Sequence, residues 1–276
     1  MYAVPGRSGP RARVPDFRSR AREPFGADEG GAMPPSPAVE AFGPEHADVY
    51  ERVYRARGKD WKAEARDVAR RIRSVLPGAS SLLDVGCGTG AHLEVLSGLF
   101  DRVEGLEISL TMRERSRRRL PSVPVHSGDM RNFGLGRSFD AVTCLFTSVN
   151  YVGGVPELRD AVRRMADHLV PGGVLVVEPW WFPERFLEGH VAGDLVREGD
   201  QTIARVSHSR REGRATRLEV HWTVAGPSGV SGFTEVEHLM MFTEAEYRAA
   251  FDLAGCDVDF HGTWLTGRGL FVGVRR

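Results

Sequence analysis

Long apolar runs are missing from this sequence, so nothing approaches the roughly 20 residues that a helix needs to cross a bilayer. A signal peptide with an apolar central region is missing too. Neither sign of charge is in excess, because 37 Lys and Arg residues balance 37 Asp and Glu residues. The composition therefore gives no general attraction to nucleic acid or membranes, and we expect a cytoplasmic protein with neither as a partner.

Cysteine is scarce as well. Cys87, Cys144 and Cys256 are the only three in 276 residues, and their spacing does not match a metal site. An odd number of cysteines in or beside apolar segments is typical of buried, reduced thiols in the cytosol. We therefore predict free thiols and no bound metal.

Apolar periodicity is lacking in residues 1–38, which are rich in Gly, Pro and Arg. This composition predicts a disordered N-terminal extension. Two alternatives stay open: translation that starts at Met33, and a basic arm that binds a partner. The acids interspersed among the arginines count against the arm.

The stretch Ser81–Gly90 organises the rest of the chain. It reads as a short apolar strand followed by a glycine-rich turn and then a helix. Glycines in such a turn allow positive φ angles and let a ligand lie against bare backbone amides. This unit opens two groups of α/β proteins, the dinucleotide binders and the S-adenosylmethionine (SAM) binders. Gly86, Gly88 and Ala91 satisfy the dinucleotide motif G-x-G-x-x-G/A.

Three acids bear on the choice between SAM and a dinucleotide, and two of them, Asp84 and Asp129, favour SAM. Asp84 stands where a carboxylate can face the ammonium group of SAM but would repel a pyrophosphate. Glu107 ends the next apolar strand and can hold ribose hydroxyls, although NAD binders share this feature. Asp129 precedes the apolar Met130 in an arrangement suited to adenine. We therefore expect a SAM site, with a dehydrogenase as the rival.

Strands and helices alternate after Ser81, which predicts parallel strands joined by right-handed crossovers. The core strands are predicted at Ser81–Val85, Arg102–Leu106, Val123–His126, Phe139–Phe146 and Val174–Glu178. Three further segments alternate as antiparallel strands: Ile203–Ser209, Arg217–Val224 and Thr234–Met241. Two last strands, Asp257–His261 and Gly269–Val274, then complete a Rossmann-like seven-stranded sheet, the final one antiparallel.

Four segments follow from this pattern. We expect a disordered extension (1–38) and a SAM-binding core that begins with lid helices (39–182). A β insertion that binds substrate (183–242) and a C-terminal helix with strands (243–276) complete the chain.

Several runs beyond the glycine turn carry a family resemblance. They are Arg57–Asp60, Gly128–Met130, Glu178–Pro183, Ser207–Ser209, Arg217–His221 and Gly267–Phe271. Over residues 42–276 the chain closely resembles the class I SAM-dependent N,N-dimethyltransferases that act on dTDP-linked amino sugars in macrolide biosynthesis. The resemblance implies dimethylation of such a sugar, with SAM as cofactor. A homodimer stays open.

The resemblance, together with the glycine turn, also implies site residues. Those expected to bind SAM are Tyr50, Lys59, Asp84, Gly86, Cys87, Gly88, Glu107, Ile108, Asp129, Met130 and Leu145. Those expected to bind the sugar nucleotide are Phe42, Trp61, Glu178, Pro179, Trp180, Arg205, Ser207, His208, Ser209 and Arg268. Arginine forks suit phosphate oxygens, and a tryptophan face suits a sugar ring or thymine.

The sequence departs from the family at two positions. Tyr151 stands where close relatives carry a histidine near the amine, and Phe42 stands where they carry a tyrosine. The resemblance therefore leaves both a 3-amino and a 4-amino sugar open as substrate.

An amine must be unprotonated to attack a sulfonium methyl group, and burial beside the sulfonium lowers the pKa of the amine. The protein's main task is alignment. We expect Tyr151 to orient the amine, with Glu178 or His208 taking its proton through water. A small-molecule O-methyltransferase and a non-catalytic SAM-binding protein are the alternatives.

Overall fold

The computed structural model describes residues 44–276. The expectations for residues 1–38 and for Phe42 therefore lie outside the described residues. The six α-helices of the described part are α1 (Pro44–Ala56), α2 (Trp61–Val75), α3 (Ala91–Ser97), α4 (Leu110–Arg119), α5 (Val155–Asp167) and α6 (Glu244–Leu253). Asp60 caps α2, because its side chain accepts a hydrogen bond from the Ala63 amide. This cap fixes the start of α2 at Trp61.

A seven-stranded sheet forms the core. Its strands are β1 (Ser81–Val85), β2 (Arg102–Glu107), β3 (Val125–Ser127), β4 (Phe139–Cys144), β5 (Leu169–Val177), β10 (Cys256–His261) and β11 (Leu270–Arg275). Their order across the sheet is β10-β11-β5-β4-β1-β2-β3, and β11 is antiparallel to both of its neighbours. The predicted Rossmann-like sheet, including the reversed last strand, is confirmed.

The carboxyl ends of β1 and β4 lie side by side at the centre of this sheet. The chain runs from β1 to β2 on one side and from β4 to β5 on the other, so the winding direction reverses between them. Ligands of open α/β sheets bind at such a reversal. The sheet thus places the glycine turn after β1 and the loop after β4 at one ligand-binding edge.

In the seven-stranded sheet, three strands have bounds that differ from the predicted ones by two residues or more. The strand predicted at Val123–His126 is β3 at Val125–Ser127, and β4 ends at Cys144 rather than Phe146. Phe146 and Thr147 have φ angles of 50° and 64°, so the backbone turns sharply there and cannot continue as a strand. β5 begins at Leu169, earlier than predicted, because Phe139 pairs with Leu169 across a bulge.

The insertion after β5 is a separate four-stranded antiparallel sheet. Its strands are β6 (His190–Glu198), β7 (Gln201–Glu212), β8 (Ala215–Gly226) and β9 (Gly229–Met240), paired in that order. The antiparallel insertion was predicted, but with three strands, because β6 was missed. Two apolar side chains of β6, Val191 and Leu195, are each 64% exposed, whereas Asp194 and Val196 point inward. Strands are recognised in a sequence by apolar residues on their buried face, so a strand with apolar residues on its exposed face is easily missed.

The start of α6 agrees with its sequence signature. Thr243 and Glu246 form a capping box, in which each side chain accepts a hydrogen bond from the other residue's backbone amide.

Candidate active site

A cavity of about 570 Å³ opens at the carboxyl edge of the seven-stranded sheet, between that sheet, α1 and the four-stranded sheet. This volume is within the range of small-molecule sites. Sixteen of the predicted site residues line it: Tyr50, Trp61, Asp84, Gly86, Cys87, Gly88, Glu107, Ile108, Met130, Leu145, Tyr151, Trp180, Arg205, Ser207, Ser209 and Arg268. The predicted SAM residues therefore share one space with residues predicted to bind substrate.

The glycine turn makes one end of this cavity. Gly86, Gly88 and Gly90 all have positive φ angles, of 70°, 55° and 80°. A β-carbon on Gly86 would lie 2.8 Å from Cβ of Ser148, and one on Gly90 would lie 2.5 Å from Oγ of Ser116. Both the conformation and the space at these positions therefore require glycine.

Two buried carboxylates flank the glycine turn. Oδ1 of Asp84 accepts a hydrogen bond from the Thr143 hydroxyl at 2.7 Å, and burial raises the pKa of Asp84 to about 6. Glu107 accepts bonds from the Gly88 and Ser109 amides at 2.8 and 2.7 Å, which fixes both of its oxygens. Burial raises the pKa of Glu107 as well, against the effect of these amides. This end of the cavity attracts cations and hydrogen-bond donors.

The loop after β4 is held by Glu178. This side chain is fully buried and lies behind the cavity wall rather than on it. It accepts a hydrogen bond from the Phe146 amide at 2.6 Å and one from Nη2 of Arg268 at 2.5 Å. Burial alone would raise the pKa of Glu178, but Arg268 and Lys59 lower it below its ordinary value. A carboxylate that is so well paired is a weak base, which argues against the predicted role of Glu178 as proton acceptor.

Phe146 lies between two cations. Nζ of Lys59 is 3.7 Å from the centre of the Phe146 ring, and Cζ of Arg268 is 5.6 Å from the same centre. Both distances are typical of cation–π interactions. Lys59 also forms an ion pair with Glu64 at 2.6 Å, and it does not line the cavity. The structure therefore places Lys59 behind Phe146, where it supports the wall.

The inner face of the four-stranded sheet forms the opposite wall. Arg205, Ser207 and Ser209 alternate along β7 and point inward, and Arg205 donates a hydrogen bond to the Ser207 hydroxyl at 2.9 Å. His208 points to the outer face and is exposed, because successive side chains of a strand face opposite sides. This placement argues against the prediction that His208 contacts substrate or takes its proton.

Two other predicted residues lie off the main cavity. Asp129 forms an ion pair with Arg131 at 2.6 Å and lines a small side cavity next to Met130. Pro179 is buried behind Trp180, whose indole N–H donates to the Thr216 hydroxyl at 3.0 Å.

The sequence interpretation missed Glu237. This carboxylate on β9 is 6% exposed, lines the cavity and accepts a hydrogen bond from the Tyr151 hydroxyl at 2.5 Å. His92 and Trp181 also line the cavity without having been predicted. The available signal in the sequence was a pair of acids at alternate positions, Glu235 and Glu237. Acids in that pattern are equally expected on the solvent-exposed face of an antiparallel strand.

Comparisons with known proteins agree with this geometry. A methyltransferase-domain family model matches residues 82–173, which span β1 to β5. The dTDP-3-amino-3,4,6-trideoxy-alpha-D-glucopyranose N,N-dimethyltransferase of Streptomyces venezuelae is 54% identical over 83% of this chain and 98% of its own length. The chain belongs to this family of sugar N,N-dimethyltransferases. The fold and the resemblance inferred from the sequence are both confirmed.

Two further relatives of this family differ in substrate. The dTDP-4-amino-2,3,4,6-tetradeoxy-D-glucose N,N-dimethyltransferase of Saccharopolyspora spinosa is 50% identical over 85% of this chain and 94% of its own length. A SAM-bound amino pentose methyltransferase of Micromonospora echinaspora, from calicheamicin biosynthesis, superimposes with a TM-score of 0.79. It is 59% identical and covers 83% of this chain and 97% of its own. The family thus includes enzymes for 3-amino and for 4-amino sugars.

The chain is accordingly a SAM-dependent methyltransferase. Among residues 44–276, no helix is long and apolar enough to cross a membrane.

Proposed function

We propose that this enzyme transfers methyl groups from SAM to the amino group of a dTDP-linked deoxyamino sugar, twice in succession, in antibiotic biosynthesis. The observation that carries this proposal is a pair of arginines on the cavity wall whose Nε atoms are buried. Arg205 is 3% exposed, and within the described residues the Nε–H groups of Arg205 and Arg268 have no hydrogen-bond partner. Buried donors of this kind are costly unless a ligand pairs with them, and a diphosphate supplies the matching oxygens.

The cofactor end of the cavity suits SAM, which supplies an electrophilic methyl group when bound. Asp84 is suited to its ammonium group and Glu107 to its ribose hydroxyls, while the glycine turn leaves backbone amides exposed to it. Behind the turn, Asp129 and Met130 are suited to the adenine. Tyr50, Cys87, Ile108 and Leu145 contribute apolar or aromatic surface.

The sugar end combines flat and cationic surfaces. Trp61 and Trp180 offer faces to the sugar ring or the thymine, and the Arg268 guanidinium lies 5.7 Å from the Trp180 ring centre. Arg205 and the hydroxyls of Ser207 and Ser209 can hold the diphosphate. Tyr151 lies between the two ends, lining both the main cavity and the side cavity beside Gly86 and Met130. A hydroxyl there can orient the amine against the methyl group.

Mass spectrometry of reactions with SAM tests this function. We expect dTDP-3-amino or dTDP-4-amino sugar to gain two methyl groups in sequence, and the same sugar without its nucleotide to react poorly. Arg205→Ala should raise KM for the sugar nucleotide much more than it lowers kcat, because the phosphates are remote from the transferred methyl. Methylation of a hydroxyl analogue instead of the amine would favour an O-methyltransferase. Binding of SAM without transfer to either would indicate a non-catalytic protein.

The affinity for SAM should depend on pH through Asp84. Its carboxyl group has a pKa of about 6 and must be ionised to face an ammonium group. At lower pH a proton must leave when SAM binds, so the affinity should fall about tenfold per pH unit below pH 6 and stay level from 6 to 7. Calorimetric titration between pH 5 and 7 measures this. Asp84→Asn should bind SAM weakly with little pH dependence. An affinity that is independent of pH in the wild type would mean that Asp84 does not face the ammonium group.

A further inference from the structure

A buried acidic network lies at the sugar end of the cavity, apart from the carboxylates that flank the glycine turn. Glu237 and Glu235 both point inward from β9. Nδ1 of His46 in α1 lies 2.6 Å from Oε2 of Glu235, and the Trp222 indole donates to the same oxygen at 2.9 Å. Single ligand atoms of His46, Glu235 and Glu237 lie within 4.8 Å of one another. Of the two carboxylates, Glu237 alone lines the cavity.

Tyr151 links this network to the site of methyl transfer. Its hydroxyl donates to Oε2 of Glu237, and the same side chain lines the side cavity together with Gly86 and Met130. Glu237 is therefore one hydrogen bond away from a residue that lines the same side cavity as Gly86. A group bound beside Tyr151 and Glu237 would lie near the space that the turn offers to SAM.

The charge around Glu237 favours a cationic ligand. A buried carboxylate is costly unless a cation or several donors compensate it. The titratable groups that face Glu237 from the surrounding elements are His46, Tyr50, Tyr54, Tyr151, Arg205 and Glu235. Glu235 offsets part of the positive charge of Arg205. The substrate's amino group is protonated in neutral solution, so it brings a positive charge that can compensate the buried carboxylate of Glu237.

We propose that Glu237 receives the substrate's ammonium group and accepts the proton that this group must lose before each methylation. The proposal deepens the proposed function and rests on it. Burial raises the pKa of Glu237, which makes its carboxylate a better proton acceptor near neutral pH than an exposed glutamate.

The step balances as follows. The ammonium N–H gives its proton to a carboxylate oxygen of Glu237, and its bonding electrons stay on nitrogen as a lone pair. The nitrogen then forms a bond to the methyl carbon, while the carbon–sulfur bond breaks and its electrons remain on sulfur. The methylated product is again an ammonium, so Glu237 must lose its proton to solvent and accept another before the second methylation. A hydroxyl substrate brings no positive charge, so the same carboxylate disfavours it.

Glu237→Gln, which keeps the size and removes the charge, tests the proposal. The wild type should show kcat/KM that is level around neutral pH and falls in acid, where Glu237 takes up a proton. The variant can use only amine that is already neutral, so its kcat/KM should rise about tenfold per pH unit up to the pKa of the free amine. We expect it to be about 100-fold less active at pH 7 and to approach the wild type near pH 10.

Two variants and one binding measurement separate this role from a structural one. Glu219→Gln removes a carboxylate from the outer face of the same sheet, where Glu219 pairs with Arg217 and His221, and should leave the profile unchanged. Tyr151→Phe keeps the carboxylate, so its turnover should fall while the shape of the profile is retained. SAM affinity should be unchanged in Glu237→Gln, which shows that the fold and the cofactor end are intact.

Either of two results would overturn the proposal. One is a Glu237→Gln profile parallel to that of the wild type at every pH. The other is inhibition by EDTA that Zn²⁺ reverses, since a metal held by His46, Glu235 and Glu237 would occupy the carboxylate. Wild-type enzyme that does not methylate dTDP-amino sugars would instead contradict the proposed function, and the two failures are therefore distinguishable.

Discussion

Replacing Glu178 by glutamine is expected to lower the free energy of unfolding by about 3 kcal/mol. Glu178 is 0% exposed, and its two oxygens are paired with Arg268 and with the Phe146 amide. Removing one charge of a buried pair leaves the other uncompensated, which costs far more than loss of a surface pair. Urea denaturation at pH 7 measures the change.

The matched control is Glu114→Gln. Glu114 pairs with Arg118 on the exposed face of α4, so its loss should change stability by less than about 0.5 kcal/mol. The double variant Glu178→Gln, Arg268→Gln should recover part of the loss, because neither charge is then left alone. A Glu178→Gln effect as small as that of the control would show that Arg268 reaches solvent or another acceptor.

The same pair predicts a pH dependence. The pKa of Glu178 is lowered in the folded state, so its stabilising contribution is complete above the ordinary glutamate value of 4.5 and is lost as the pH falls through the lower folded value. The stability difference between wild type and Glu178→Gln should therefore be constant near neutrality and shrink in acid.

The sheet could be predicted because its strands are buried on both faces. Runs such as Ser81–Val85 and Val174–Val177 are buried throughout and mostly apolar, and helices separate the strands along the chain. The insertion was harder. Its strands have one face toward the cavity, and a cavity wall is polar: Asp194, Arg205 and Glu237 point inward, while Val191, Val206 and Val236 are exposed. At these positions the usual relation between apolar residues and burial is reversed, although Ile203, Val220 and Trp222 of the same sheet are buried, and in β6 this reversal hid the strand.

The same reversal explains what was missed in the site. The glycine turn and its two acids are close together in the sequence, so one motif predicts them. Glu237 becomes meaningful only through partners far away in the chain, His46 and Tyr151. Glu178 was predicted at the site, but its role depends on Arg268, 90 residues later. Pairings of this range follow from the fold and have no local signature.

Gly86→Ala should weaken SAM binding at least 100-fold. Gly86 has a φ of 70°, which costs an L-residue about 1–2 kcal/mol. The new methyl group would also lie 2.8 Å from Cβ of Ser148, a side chain held by the hydrogen bond that its hydroxyl donates to the Leu145 carbonyl at 2.9 Å. The backbone of the turn must therefore shift where Gly86 lines the cavity. Each 1.4 kcal/mol by which this shift weakens SAM binding lowers the affinity tenfold. Calorimetric titration with SAM measures the loss.

Two variants separate the clash at Gly86 from its backbone strain. Gly213 in the β7–β8 turn has a φ of 59° with nothing near its β-carbon position, so Gly213→Ala should cost about 1 kcal/mol of stability and leave SAM affinity intact. Adding Ser148→Gly to Gly86→Ala removes the clash and keeps the strain, so about a tenfold defect should remain. Equal affinities in the single and double variants would show that strain alone is responsible. Unchanged affinity in Gly86→Ala would mean that the turn after β1 yields without cost, and that SAM does not depend on its shape.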